Sequence, residues 1–367
     1  CAVDSIADCM THFDLPERPK ILVVTLRRLG DVLLATPLVR TLRQGLPGAS
    51  LDVLVFAGSE RILKGNPDID RVLTMPERPS LAQTLRLIAH LWRRYDLAVC
   101  TQSGDRPTFM TLLAGRRRVG LVPPGGGWWK RLVHDVAVVA DTDGHRVDEL
   151  LRLADALGLK RCSDLVCPQG GSADGVAPAS RYAVMHPNPM YRYKRWNAVG
   201  WRDLARGLTV RGLAVVVTQG RDAEEQAYVD QLFQGDASII RERGRLDWAG
   251  LTALLKSAAV YIGPDTSVTH LAAGSGCPTV ALYGPTSPRL VGPWPVGGLD
   301  RPWAPSGRLQ RRANVWLVQN PLACLPCERL GCDGYLESRS QCLDELGADQ
   351  VLMAVDQALQ PREDVVA

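Results

Sequence analysis

The sequence predicts an α/β protein built as two doubly wound halves, and three observations carry that prediction. Continuous apolar runs such as Lys20–Leu26 and Tyr182–His186 do not alternate with polar residues, the pattern of strands buried on both faces of a parallel sheet. Stretches with helical spacing follow them. Between residues 162 and 179 the alternation gives way to a segment rich in Gly, Ser, Pro and Asp, after which it starts again. A length of 367 residues suits two domains of about 150 to 180 residues each.

In order, the first half reads as strand 20–26, helix 32–44, strand 51–56, a short strand 72–74 after the Asn66-Pro67-Asp68 turn, helix 81–94, strand 97–100 and helix 147–157. The second half reads as strand 182–186, helix 201–211, strand 214–218, helices 223–233 and 249–257, strand 260–262, helix 268–275 and strand 279–283. Two such halves joined by a hinge predict a ligand-binding cleft between them, since open α/β sheets bind ligands beyond the carboxyl ends of their strands.

Apolar residues make up 46% of the chain and charged residues 22%, which allows a core in each half and excludes long disorder. The net charge of +4 is unevenly spread: residues 18–135 hold 19 Lys and Arg against 9 Asp and Glu. Such a field suits a phosphorylated substrate, an anionic membrane surface or a nucleic acid, and would equally serve as a solvated basic face. No sustained basic helix or aromatic-studded sheet supports nucleic acid as the partner. No uncharged apolar run reaches the length of a membrane span. The opening residues 1–20, with Asp4, Asp8, Asp14 and Glu17, do not read as a secretory signal. Ten cysteines are too sparse for a disulfide scaffold, so reduced thiols in the cytoplasm are expected.

The segment richest in chemistry runs from Tyr261 to Ala273, from a strand through Gly263-Pro264-Asp265-Thr266-Ser267 into a helix. Thr266 and Ser267 stand where a helix cap belongs, so their hydroxyls and backbone N–H groups would face an anion, with His270 one turn along the same face. An ordinary capped helix with a buried histidine explains the same residues. Leu282-Tyr283-Gly284-Pro285-Thr286-Ser287-Pro288 supplies a second strand end with a hydroxyl-bearing loop.

These two motifs, with the opening Leu26-Arg27-Arg28-Leu29-Gly30-Asp31-Val32, resemble the ADP-heptose:lipopolysaccharide heptosyltransferases of glycosyltransferase family 9, over roughly residues 20 to 360. The spacing around Lys194-Arg195-Trp196 and Gly292-Pro293-Trp294 is similar to the heptosyltransferase III branch. The resemblance implies a GT-B fold, two Rossmann-like domains facing across a cleft. It assigns acceptor binding to residues 20–165 and nucleotide-sugar binding to 181–345, with an extension at 1–19, a linker at 166–180, and a helix and tail at 346–367. It also implies an inverting, metal-independent enzyme with ADP-heptose as donor and the lipopolysaccharide inner core as acceptor, working at the cytoplasmic face of the inner membrane as a peripheral protein, with no catalytic cofactor.

Residue roles follow from the resemblance. Asp31 matches the catalytic base, a carboxylate able to take the acceptor's hydroxyl proton, although a helix cap explains Gly30-Asp31 as well. Lys194 matches the residue that binds the donor diphosphate, joined by Asp265, Thr266, Ser267 and His270. Glu224 matches an acid that contacts the ribose, with Glu225 as its rival. Leu246 stands where an adenine-contacting methionine is common. Asn188, in His186-Pro187-Asn188-Pro189-Met190, replaces the small hydroxyl residue some relatives place beside the phosphates, and Ser267 replaces a glycine. Arg28, Arg116, Arg117, Arg118, Lys130 and Arg131 are expected to bind the acceptor. The last two, with Trp128 and Trp129, follow a Pro-Pro-Gly-Gly-Gly loop and suit a phosphorylated glycolipid, or else form surface charge over two core tryptophans. Cys324, Cys327, Cys332 and Cys342 have spacing compatible with a structural zinc and, less well, an iron–sulfur cluster; free or paired thiols are the alternative. Rival functions are another nucleotide-sugar transferase or epimerase of the same architecture, and a non-catalytic nucleotide-sugar-binding protein.

Overall fold

The computed structural model describes residues 15–360; residues 1–14 of the expected extension and 361–367 of the expected tail lie outside the described residues. The chain divides into two compact units between Pro168 and Gln169.

In the first unit the strands are β1 (Lys20–Thr25), β2 (Ser50–Phe56), β3 (Arg71–Met75), β4 (Tyr95–Cys100), β5 (Gly115–Val122) and β6 (Val136–Val139), with helices α1 (Leu29–Leu34), α2 (Thr36–Gly45), α3 (Leu81–Leu91), α4 (Asp105–Ala114), α5 (Trp128–Val133) and α6 (Arg146–Asp155) between and after them. All strands run parallel, in the order β3-β2-β1-β4-β5-β6. The single helix expected over 32–44 is instead two. Thr36 Oγ1 bonds back to the Leu33 carbonyl at 2.7 Å, and Pro37, which has no N–H to donate, opens α2. The sequence reading had no element at α4, α5, β5 or β6. Three consecutive arginines at the start of β5 hide its apolar second half, Val119–Val122.

The second unit contains β7 (Tyr182–Met185), α7 (Ala198–Val210), β8 (Ala214–Val217), α8 (Ala223–Leu232), β9 (Ile239–Arg241), α9 (Trp248–Ser257), β10 (Val260–Pro264), α10 (Ser267–Gly274), β11 (Thr279–Leu282), α11 (Pro288–Val291), β12 (Leu309–Arg312), β13 (Val315–Val318), α12 (Gln341–Asp344) and α13 (Ala348–Leu359). Its seven strands order as β12-β13-β11-β10-β7-β8-β9, with only β12 antiparallel to its neighbour. Trp196 and Trp201 meet edge to face at 5.0 Å inside the core, and the Trp196 indole N–H donates to the Leu346 carbonyl at 2.8 Å. That bond ties the segment after Lys194 to the C-terminal helices. The expected pair of doubly wound sheets is therefore present.

Each sheet reverses its winding at one place. β1 lies between β2 and β4, and β7 lies between β8 and β10. Beyond the carboxyl ends of those strand pairs the connections diverge to opposite faces and leave room for a ligand.

Candidate active site

In the second unit, the loop after β10 and the loop after β7 meet at such a reversal. Asp265 follows β10 and is buried, 8% exposed. Lys194, on a 3-10 turn over Arg192–Lys194, places its Nζ 2.5 Å from the carboxylate, and Tyr283 Oη donates to the other oxygen at 3.4 Å. His270 Nε2 lies 3.9 Å from that oxygen. Burial works to raise the Asp265 pKa, but the Lys194 ammonium, with His270 and the Thr286 hydroxyl, outweighs it and holds the carboxyl below its ordinary range. Thr266 is the cap of α10: its hydroxyl accepts the Thr269 N–H at 3.3 Å. A cation, a carboxylate and the start of an eight-residue helix thus converge at one strand end, a setting suited to a diphosphate.

Asn188 follows β7 and Gln219 follows β8. Both are buried, at 4% exposure, yet Asn188 Oδ1 and both amide atoms of Gln219 lack a hydrogen-bond partner within the protein. Buried amides without a protein partner at the carboxyl edge of a parallel sheet call for a water or a ligand to satisfy them. The sequence reading missed Gln219, although Thr218-Gln219-Gly220 at the end of an apolar run marks a strand exit. His186 sits beneath, its Nδ1 3.0 Å from Thr218 Oγ1; burial pushes its pKa down to about 4, so the ring is neutral.

Glu224 is exposed on the first turn of α8, which Asp222 caps, whereas the Glu225 carboxylate accepts the Gly220 N–H at 2.6 Å. Leu246 is half-buried on a turn held by Glu242, a buried carboxylate that the reading also missed. It accepts the N–H groups of Gly244 at 2.8 Å and Leu246 at 2.5 Å.

In the first unit, Asp31 lies on the first turn of α1, just beyond the carboxyl end of β1. The cap position of α1 belongs to Arg28, so capping does not account for Asp31. Lys130 approaches the same edge: it donates to the Ser103 carbonyl at 2.6 Å and pairs with Asp105 at 2.7 Å. Those partners, rather than an unpaired cation, are what any acceptor group would meet there. Arg131 is exposed beside it on α5. Trp128 and Trp129 are not core residues: Trp128 is exposed, and half-buried Trp129 lies against Lys130.

The three other arginines depart from expectation. Arg117 pairs with Leu97, which pairs with Ile21 at the beginning of β1. Arg116, Arg117 and Arg118 therefore occupy the amino edge of the sheet, opposite to Asp31, and Arg118 is engaged by Asp135. The structure does not bring them to the candidate site. Among the described residues no group of three or more His, Cys, Asp or Glu side chains is arranged to hold a metal ion, so the zinc expected at the four C-terminal cysteines is not shown.

The family model of glycosyltransferase family 9 (heptosyltransferase) matches residues 85–297, more than half of the chain. Lipopolysaccharide heptosyltransferase 3 of Escherichia coli strain K12 is 26% identical over 296 residues, covering 73% of this chain and 83% of its own. Lipopolysaccharide heptosyltransferase 1 of Pseudomonas aeruginosa is 28% identical over 314 residues, covering 78% and 85%. The solved structure of E. coli ADP-heptose lps heptosyltransferase II superposes with a TM-score of 0.70 at 20% identity, covering 93% of this chain and 98% of that one. With two Rossmann-like units of the GT-B type and a family match over most of its length, the chain belongs to glycosyltransferase family 9 and is a glycosyltransferase.

Proposed function

We propose that the enzyme transfers heptose from ADP-heptose to the inner core of lipopolysaccharide, with inversion, as a member of the heptosyltransferase III branch. The observation that carries this reading is the Lys194–Asp265 pair at the start of α10, where β7 and β10 diverge. It is a ready anion site on the unit proposed to bind the nucleotide sugar. Similarity to curated heptosyltransferases 1 and 3 supports the activity, and the spacing around Lys194-Arg195-Trp196 and Gly292-Pro293-Trp294 supports the branch.

In the proposed reaction Asp31 takes the acceptor hydroxyl's proton as its oxygen bonds to the anomeric carbon. The bond from that carbon to the diphosphate breaks on the opposite side, and its electron pair leaves with ADP. Lys194, the Thr266 hydroxyl and the Ser267 N–H stabilise the departing charge. Asp265, with His270 beside its carboxylate, holds Lys194 in place, Asn188 and Gln219 hydrogen-bond the diphosphate or the sugar, and Glu224 and Leu246 contact the nucleoside. Arg28, Lys130 and Arg131 meet the acceptor at the edge where Asp31 stands. The enzyme works as a peripheral protein at the cytoplasmic face of the inner membrane; no described helix is long and apolar enough to cross one.

Incubation with ADP-heptose and core-truncated lipopolysaccharide is expected to yield ADP and a product heavier by one heptose. Asp31→Asn should lower kcat by about 10²- to 10⁴-fold with ADP affinity unchanged. Absence of turnover in the parent, or a variant as active as the parent, would remove the reading.

A structural zinc on Cys324, Cys327, Cys332 and Cys342 belongs to the same proposal. Cys332 Sγ accepts the Gln341 N–H at 3.3 Å, which draws it beside Cys342. Burial, and then the nearby thiols of Cys327, Cys332 and Cys324, push the Cys342 thiol up to about 12. The local apolar cluster, Leu325, Cys342 and Leu343 with Leu322 against them, is small, and a metal would add a cross-link to it. Metal analysis of the purified chain should find one zinc per molecule, lost on replacing Cys327 and Cys332 with serine; a metal-free, stably folded parent excludes it.

A further inference from the structure

One face of the first unit leaves apolar side chains uncovered. α3 carries two apolar stripes. Leu87 and Leu91 turn inward onto Leu22, Leu54, Met75 and Tyr95. Leu81, Leu85, Ile88 and Trp92 recur at i, i+4, i+7 and i+11 and so share a second stripe. That stripe faces away from the core: Leu81 is 76% exposed, Leu85 56% and Trp92 59%. The helix does not need a partner in order to form, because Ser80 and Gln83 close a capping box at its start. α4 packs beside α3, and α5 beside α4. They carry exposed apolar side chains of their own, Phe109, Trp128 and Leu132, the last two 73% and 75% exposed.

Along α3 itself the charge has one sign, although Glu77 precedes it and exposed Asp105 opens α4. From residue 78 to residue 95 there are four arginines, Arg78, Arg86, Arg93 and Arg94, and no acidic residue. Arg116 joins them, its Nε donating to the Arg93 carbonyl at 3.4 Å, and Arg117 is exposed next to it. Arginines that lie far from Asp31 along the sheet thus form one end of a basic rim beside an apolar ridge.

We propose that this face docks the enzyme on an anionic lipid bilayer, with the Leu81–Leu85–Trp92 stripe entering the interface and the arginines meeting lipid phosphates. Apolar and tryptophan side chains flanked by arginine are what an interfacial helix requires. A second copy of the chain is the rival occupant, which the test separates, because a two-fold contact would bury the same apolar stripe without needing lipid phosphates. The inference deepens the peripheral-membrane part of the proposed function and rests on it.

The test is sedimentation of the full chain with phosphatidylcholine vesicles, with and without phosphatidylglycerol, while ADP binding is measured in parallel. Binding is expected only with phosphatidylglycerol and should fall as salt rises. The double variant Leu85→Glu, Trp92→Glu should bind vesicles at least about tenfold less and ADP as the parent does, which also shows that it is folded. Arg93→Gln with Arg94→Gln should weaken both binding and its salt dependence. Docking is overturned if the parent ignores anionic vesicles, if the double variant binds like the parent, or if the variant instead converts a dimer into a monomer. Loss of ADP binding in the parent would sink the donor assignment and leave the docking result standing.

Discussion

At the scale of single residues, the informative side chains are buried polar groups whose partners are missing or few. Gln219 is the sharpest case, because its amide is enclosed on the second sheet's carboxyl edge with nothing in the protein to bond. Burying an unsatisfied amide costs about 1–3 kcal/mol. A residue kept for folding alone would not carry that cost, so Gln219→Met should leave the melting temperature of the ligand-free protein equal or higher. If the amide meets the nucleotide sugar, the same variant should weaken ADP binding by about tenfold, the worth of one neutral hydrogen bond. Calorimetry with ADP beside a thermal melt checks both; a lower melting temperature with unchanged affinity would make Gln219 structural. Asp31 and Lys194 were picked out by the resemblance, and Asp265 by a strand-to-helix turn whose Thr and Ser an ordinary helix cap explains as well. Gln219 was not, because one amide after an apolar run has no spacing to betray it.

Among elements, the strands buried on both faces were the easiest to read. β1, β7 and β10 are continuous apolar runs with no competing helical pattern. β12 escaped notice because Leu309-Gln310-Arg311-Arg312, a short antiparallel edge strand, reads as a loop, whereas β13, the buried apolar run Val315-Trp316-Leu317-Val318, was simply passed over. The arginine run at 116–118 was visible, but its position on the sheet was not: only strand pairing shows that β5 begins where β1 begins. The turn after β9 makes the same point about tertiary context. Arg243 and Gly244 both take positive φ, +60° and +66°, a conformation costly for arginine. Glu242 accepts two N–H groups from that turn and so holds Leu246 in place. Glu242→Gln keeps the shape and loses charge and one acceptor. It should destabilise the protein by about 1–3 kcal/mol and, if Leu246 lines the adenine site, raise the ADP dissociation constant. A melt and an ADP titration of the variant measure the two effects, and unchanged values in both would show that the turn is held by other contacts.

For the whole molecule, both units contain a buried histidine whose charged form the fold excludes. His134, in the first unit, has neither ring nitrogen hydrogen-bonded; burial above all, and then the Arg118 charge, lowers its pKa to about 4. His186, in the second unit, is lowered to about 4 by burial against the opposing pull of the Thr218 carbonyl. Unfolded, each ring would titrate near 6.5. Above that pH both rings are neutral in either state and folding is indifferent to protons. As pH falls from about 6.5 toward 4 the unfolded chain binds protons that the folded chain refuses, so stability must decline, and the decline levels off once the folded rings also protonate. Both units should therefore lose stability over the same window, although they share no histidine. Thermal melts from pH 7 to pH 4 are expected to show this. His134→Phe should flatten the response of the first unit alone, because it removes the titrating ring while keeping an apolar filler against Gly120, on which that ring packs. If the variant's melting temperature falls with acid as steeply as the parent's, His134 is not a source of the sensitivity and the loss belongs to other groups, His186 first among them.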